Sequence, residues 1–102
     1  MIRTERLVQS FLELTAIDNP TLYERELSEC LRRRFAALGI VLAEDGAGAA
    51  IGGNAGNLYA YLPGDETLAP ILLSAHMDAV APACAKKPVL HTDGRITSDG
   101  TT

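Results

Sequence analysis

Ile71-Leu72-Leu73-Ser74-Ala75-His76-Met77-Asp78-Ala79-Val80-Ala81-Pro82 is the stretch on which the fold and the chemistry of this chain turn. Residues 71–75 are apolar on both sides of a strand's alternation, which predicts a buried strand interior to a sheet with helices over its faces. The strand delivers His76 and Asp78 at its carboxyl end. Side chains two apart share a face, so imidazole and carboxylate leave the sheet together while Met77 turns the other way into packing. In open α/β sheets, ligands gather beyond the carboxyl ends of strands. A metal-bound histidine takes a carboxylate or carbonyl on its second ring nitrogen, and Asp78 is near enough in sequence to be that partner. His-x-Asp by itself describes equally well a partly buried histidine satisfied by its neighbour. The sequence on either side has to separate the two.

Toward the N-terminus the pattern is helical. Leu7, Val8, Phe11, Leu12 and Leu14 form a one-sided stripe with Thr4 as its expected cap, and Asp18-Asn19-Pro20 ends it. A second helix is predicted from Asn19 or Thr21, with Thr21 and Glu24 spaced as a capping box and Pro20 in the first turn. Its stripe is Leu27, Cys30, Leu31, Phe35 and Leu38, and Gly39 is placed to close it. Ile40-Val41-Leu42 and Leu58–Leu62 then read as short strands.

Between those strands, Asp45 to Gly56 holds five of the nine glycines, which leaves few side chains to pack and predicts a mobile hairpin connection. It is not a phosphate cradle. A dinucleotide fingerprint needs glycine where Ile51 stands, and a Walker motif needs lysine where Asn54 stands. Beyond the buried strand, Val89–Thr92 and Arg95–Ser98 flank Asp93-Gly94, the preferred two-residue turn of a hairpin. His91 sits beside that turn and is expected to be exposed rather than a ligand.

Bulk properties narrow the partners. A chain of 102 residues is at most one domain, and 47% hydrophobic with 22% charged residues places it in the globular class. A formal charge of −4 argues against nucleic acid and anionic lipid. The run Arg32-Arg33-Arg34 is expected on a solvated helix face. Charges of both signs in Met1–Arg6 do not fit a signal peptide, and Ile71–Val80 is interrupted by Ser74, His76 and Asp78, so no membrane segment is expected. Cys30 and Cys84 lie in no metal-type spacing, and free thiols in a reducing cytoplasm are the expectation.

Taken together, residues 71–82, Gly56–Gly64 and Ser98-Asp99-Gly100-Thr101-Thr102 resemble the start of a co-catalytic zinc exopeptidase of the peptidase T, aminoacylase and acetylornithine deacetylase superfamily, nearest its peptidase T-like branch. The resemblance runs over essentially the whole chain; Ala79 departs from it, where the family commonly has threonine. It implies an α/β fold, the N-terminal portion of a helix-covered mixed-sheet catalytic domain incomplete at its C-terminus: two helices, then about three strands and a hairpin. It also implies a metallopeptidase acting on short peptides, with His76 a ligand of one of two zinc ions and Asp78 the carboxylate that orients it. The bridging aspartate, the glutamate pair and the later ligands of the family are expected beyond Thr102. A catalytic zinc takes about three protein ligands plus a water, so these residues alone are expected to be inactive. The contrasting reading is a non-catalytic truncated piece, whose half-covered strand would make it self-associate.

Overall fold

A computed structural model describes all 102 residues. The first helix, α1, spans Thr4–Thr15 over the predicted stripe, but none of its residues is buried, and Leu7 and Phe11 of that stripe are exposed. Its cap differs from expectation: Arg3 is the N-cap residue with extended backbone, no side chain caps the helix, and Thr4 is the first helical residue. At the other end the Thr15 hydroxyl donates to the Phe11 carbonyl at 2.8 Å.

Helix α2 spans Arg25–Ala37, starting later than the sequence predicts. The capping box does not form, because both of its members are engaged elsewhere. Thr21 donates to Asp78 across the chain, and the Glu24 carboxylate accepts from the Leu22 amide at 2.8 Å. Residues 20–23 form a tight turn instead, closed by the Tyr23 amide on the Pro20 carbonyl at 2.8 Å, with Leu22 at φ +75°. The C-terminus closes as expected on Gly39 at φ +77°. The Gly39 amide reaches the Ala36 carbonyl and the Ile40 amide reaches Phe35, the paired bonds of a Schellman motif.

That closure consumes Ile40, and the strand predicted at 40–42 moves downstream. Strand β1 is Ala43–Glu44, paired antiparallel with β2, Leu58–Tyr59, in the register Ala43 to Tyr59 and Glu44 to Leu58. The glycine-rich connection between them is not the loose link predicted. It contains a short helix, α3, Ala47–Ala50, and Asp45 accepts the amides of Ala47 and Asn57 at 3.0 and 2.8 Å. Two of its glycines are needed for close approach: a Cβ on Gly48 would stand 1.9 Å from the Ala55 carbonyl oxygen, and one on Gly56 2.1 Å from that of Asp45.

The hairpin forms from β3, Val89–Leu90, and β4, Ile96–Thr97. Its loop is three residues rather than two. The Gly94 amide donates to the His91 carbonyl and the His91 amide to Arg95, which puts Thr92 and Asp93 at the centre of the turn and Gly94, φ +86°, in the left-handed position after it.

The largest departure is the stretch 71–75. It is not a buried strand here: Ile71, Leu72 and Leu73 are 87%, 89% and 90% exposed, and no amide from 71 to 76 makes a backbone hydrogen bond. A strand apolar on both faces needs flanking strands and two helical layers. The ordered pairing within these residues is confined to β1–β2 and β3–β4, neither of which neighbours it. The mixed α/β class holds, while the strands are short and the interior small, with Leu27, Leu42 and Ala83 its buried apolar members. No helix is long and apolar enough to cross a membrane.

Candidate metal centre

Although 71–75 is unpaired, the segment that follows is fixed. Asn19 donates from its side chain to the Met77 carbonyl at 2.7 Å, and its carbonyl accepts the Ala79 amide at 2.9 Å, so residues 19–20 run as a parallel bridge against residue 79. The Asn19 amide also donates to the Ala83 carbonyl at 3.1 Å. The reason lies in the sequence: Asp18-Asn19-Pro20 stops α1 and turns the chain alongside Met77–Ala79, and Asn19 has enough donors and acceptors to stitch both sides.

On this frame His76 and Asp78 meet as the sequence predicts. His76 Nδ1 lies 2.9 Å from Asp78 Oδ1 and also 2.9 Å from the Asp78 backbone oxygen. Both neighbours are acceptors, so Nδ1 is the donor, and in the neutral ring that tautomer leaves Nε2 as the acceptor. The imidazole is 84% exposed and Asp78 is 35% exposed, which leaves Nε2 open to a ligand. The second Asp78 oxygen, Oδ2, accepts from the Thr21 hydroxyl at 2.7 Å. The Thr21 hydroxyl foremost, and then His76, hold the Asp78 carboxyl below the ordinary carboxylate range.

This arrangement fits one histidine ligand to zinc with its orienting carboxylate, and nothing more. No group of three His, Cys, Asp or Glu side chains stands close enough to hold an ion. Cys84 is an exposed free thiol. His91 is tied into the hairpin, its Nε2 2.8 Å from the Thr97 hydroxyl. Asp99 is folded onto its own loop, accepting the amide and hydroxyl of Thr101 at 3.0 and 2.6 Å.

A second polar centre is absent from the sequence-based expectations. The Glu44 carboxylate accepts from Arg25 at 2.9 and 3.2 Å, from Arg32 at 2.7 Å and from the Gly56 amide at 2.7 Å. Those donors, Arg25 first, hold its carboxyl down to about 2. Asp45 beside it is also held down to about 2, by the Asn57 side chain first and then by the amides of Asn57 and Ala47. The arginine run is correspondingly less free than expected: Arg32 belongs to this centre and Arg34 pairs with Glu13. The available signal was Arg25 and Arg32 seven residues apart on one helix face.

No family model matches the sequence. Two solved structures share its fold throughout: a tripeptidase (SAV1512) from Staphylococcus aureus subsp. aureus Mu50, 39% identical over 100% of this chain with a TM-score of 0.92, and aminopeptidase PepT from Bacillus cereus ATCC 10987, 41% identical over 99% with a TM-score of 0.91. In sequence and in fold the chain is similar, over essentially its full extent, to one part of these two peptidases. A curated relative, the uncharacterized protein YqjE of Bacillus subtilis (strain 168), is 39% identical over all 102 residues. The chain spans 27% of the length of each of these relatives.

Proposed function

We propose that these residues are the part of a zinc-dependent peptidase catalytic domain that supplies one metal ligand, His76, in an enzyme that hydrolyses short peptides in the cytoplasm. The observation that carries the reading is the His76 Nδ1 to Asp78 contact at 2.9 Å, which leaves Nε2 free on an exposed ring. The names of the two structural neighbours, tripeptidase and aminopeptidase, support a peptide substrate. When bound, zinc would polarise the scissile carbonyl and lower the pKa of a water. This chain's residues act earlier than that: Asp78 fixes the tautomer of His76 and raises its basicity, and Asn19 holds the backbone on either side of Asp78 in register. The general base and the other ligands come from outside these residues, so the 102-residue chain alone hydrolyses no peptide.

The test is made on the complete polypeptide, the chain extended to the length of its relatives. His76→Ala is expected to lose most of the metal at one site by elemental analysis, together with tripeptide hydrolysis. Asp78→Asn is expected to lower metal affinity or activity about 10- to 100-fold. Full zinc content and activity in His76→Ala would overturn the reading.

A further inference from the structure

We propose that Thr21 is a positioning residue for the metal centre: its hydroxyl clamps the Asp78 carboxylate so that the carboxylate, rather than the neighbouring backbone carbonyl, holds His76. The inference rests on the reading above and adds a member to it. His76 Nδ1 has two acceptors at the same distance, Asp78 Oδ1 and the Asp78 backbone oxygen, each 2.9 Å away. Either one fixes the tautomer. They differ in charge, and an anionic acceptor makes the imidazole the stronger ligand. What selects between them is the orientation of the carboxylate, and Thr21 sets that orientation by donating at 2.7 Å to Oδ2, the oxygen that His76 does not contact. Without the hydroxyl the carboxylate is free to rotate toward water, since its side chain is 35% exposed, and the ring falls back on the carbonyl.

The backbone around Thr21 is built to hold it there at some expense. Leu22, the next residue, has φ +75°, a left-handed conformation that disfavours any residue with a Cβ. It is pinned from both sides: its amide donates to Glu24 at 2.8 Å and its carbonyl accepts the Asn54 amide at 2.9 Å. A non-glycine residue in that region persists where its surroundings over-determine it, and such residues gather at functional sites. Here the strained position sits in the one turn that carries Thr21 to Asp78. The same contact accounts for the missing capping box, since a Thr21 hydroxyl turned onto α2 could not reach Oδ2.

The experiment compares Thr21→Val, Thr21→Ser and His76→Ala in the complete polypeptide. Zinc affinity is measured by chelator competition, and the metal environment by the visible absorption of the cobalt-substituted protein. Thr21→Val is expected to weaken zinc binding about 3- to 10-fold, less than the 10- to 100-fold expected for loss of the orienting carboxylate itself, and to shift the cobalt bands. Thr21→Ser, which keeps the hydroxyl, is expected to restore both. Unchanged affinity and spectrum in Thr21→Val, with metal lost from His76→Ala, would overturn the role of Thr21 and leave the metallopeptidase reading standing. A loss that Thr21→Ser does not restore would also overturn it, by marking the effect as general destabilisation. Retention of all metal in His76→Ala would overturn both readings. Should Thr21→Val melt early, Thr21→Ala carries the same comparison, and the proposal falls unless it too weakens zinc binding.

Discussion

The stretch Glu44–Asn57 and the stretch Ile71–His76 are organised on opposite terms. The first has few large apolar side chains and five glycines, yet it is tied down: Glu44 gathers two guanidinium groups and an amide, Asp45 gathers two amides, the Asn57 side chain and the Tyr59 hydroxyl, and Gly48 and Gly56 let backbones close to contact. The second is rich in leucine and isoleucine and has no tie until His76 meets Asp78 at its end; its amides have no backbone partners and Ile71, Leu72 and Leu73 are exposed. Polar closure is complete within a short piece of chain because hydrogen bonds are made pairwise. Apolar burial has to enclose a side chain from all directions, and a two-faced strand needs flanking strands and a layer over each face before it is enclosed.

The comparison breaks first, and hardest, at Gly56. Gly56→Ala would drive a methyl to 2.1 Å from the Asp45 carbonyl oxygen and 2.9 Å from its carboxylate, so the β1–β2 connection has to open. The expected loss is about 4 kcal/mol, at the exceptional end for one substitution, and chemical denaturation of the complete polypeptide measures it. A loss below about 1 kcal/mol would show that the loop is not fastened as described.

Leu72→Ala sharpens the other side. In the complete polypeptide, if 71–75 forms the buried strand its sequence predicts, it is a large-to-small core change costing about 3 kcal/mol. In the 102-residue chain, where Leu72 is 89% exposed, the same change is expected to leave stability within about 0.5 kcal/mol and to reduce self-association in sedimentation velocity. Equal effects in the two contexts would refute the contrast.

Glu44→Gln is expected to cost about 2 kcal/mol, since it leaves two guanidinium groups and an amide with a neutral acceptor. Its pH dependence has a definite sign. A carboxyl held at about 2 in the folded state against an ordinary 4.5 contributes stability above pH 4.5 that is lost as the pH falls toward 2. Asp45 contributes in the same direction. Melting followed across that window should therefore fall less steeply in Glu44→Gln than in the parent, and an identical slope would remove Glu44 from the account.

The smallest effect belongs to His91→Ala. Its ring makes a single hydrogen bond, to the Thr97 hydroxyl, so stability should stay within about 0.5 kcal/mol and zinc content unchanged. A loss of metal comparable with that of His76→Ala would put His91 into the site.

What was legible in the sequence was local. Gly39 closes α2 as its position predicts, because a Schellman motif is written in six consecutive residues. His76 and Asp78 meet because they are two apart. Thr21 was read as a helix cap, and its true partner lies 57 residues away. Glu44 carries no local signal, because its donors come from α2 and from the far side of a glycine loop that composition alone makes look slack. The strand at 71–75 shows the reverse failure. Its pattern describes an environment that needs neighbours, and neither of the two sheets that form includes it.

Asn19 carries a consequence for the order in which this molecule assembles. Each of its polar groups is engaged with residues 77–86: the amide with Ala83, the carbonyl with Ala79, the side-chain nitrogen with Met77 and the side-chain oxygen with Lys86. These contacts close loops of 58 to 67 residues. Closing a loop of that size costs roughly 3 to 4 kcal/mol in chain entropy before any contact forms, whereas α1 and α2 form from neighbours in sequence. Long-range contacts of this kind are reached slowly, so the helices and the local His76–Asp78 contact come first and the Thr21 clamp on Asp78, 57 residues away in sequence, is acquired among the last events of folding. An ion captured by that histidine would then stabilise this late closure rather than the helices, and its removal would first release the 19-to-79 junction.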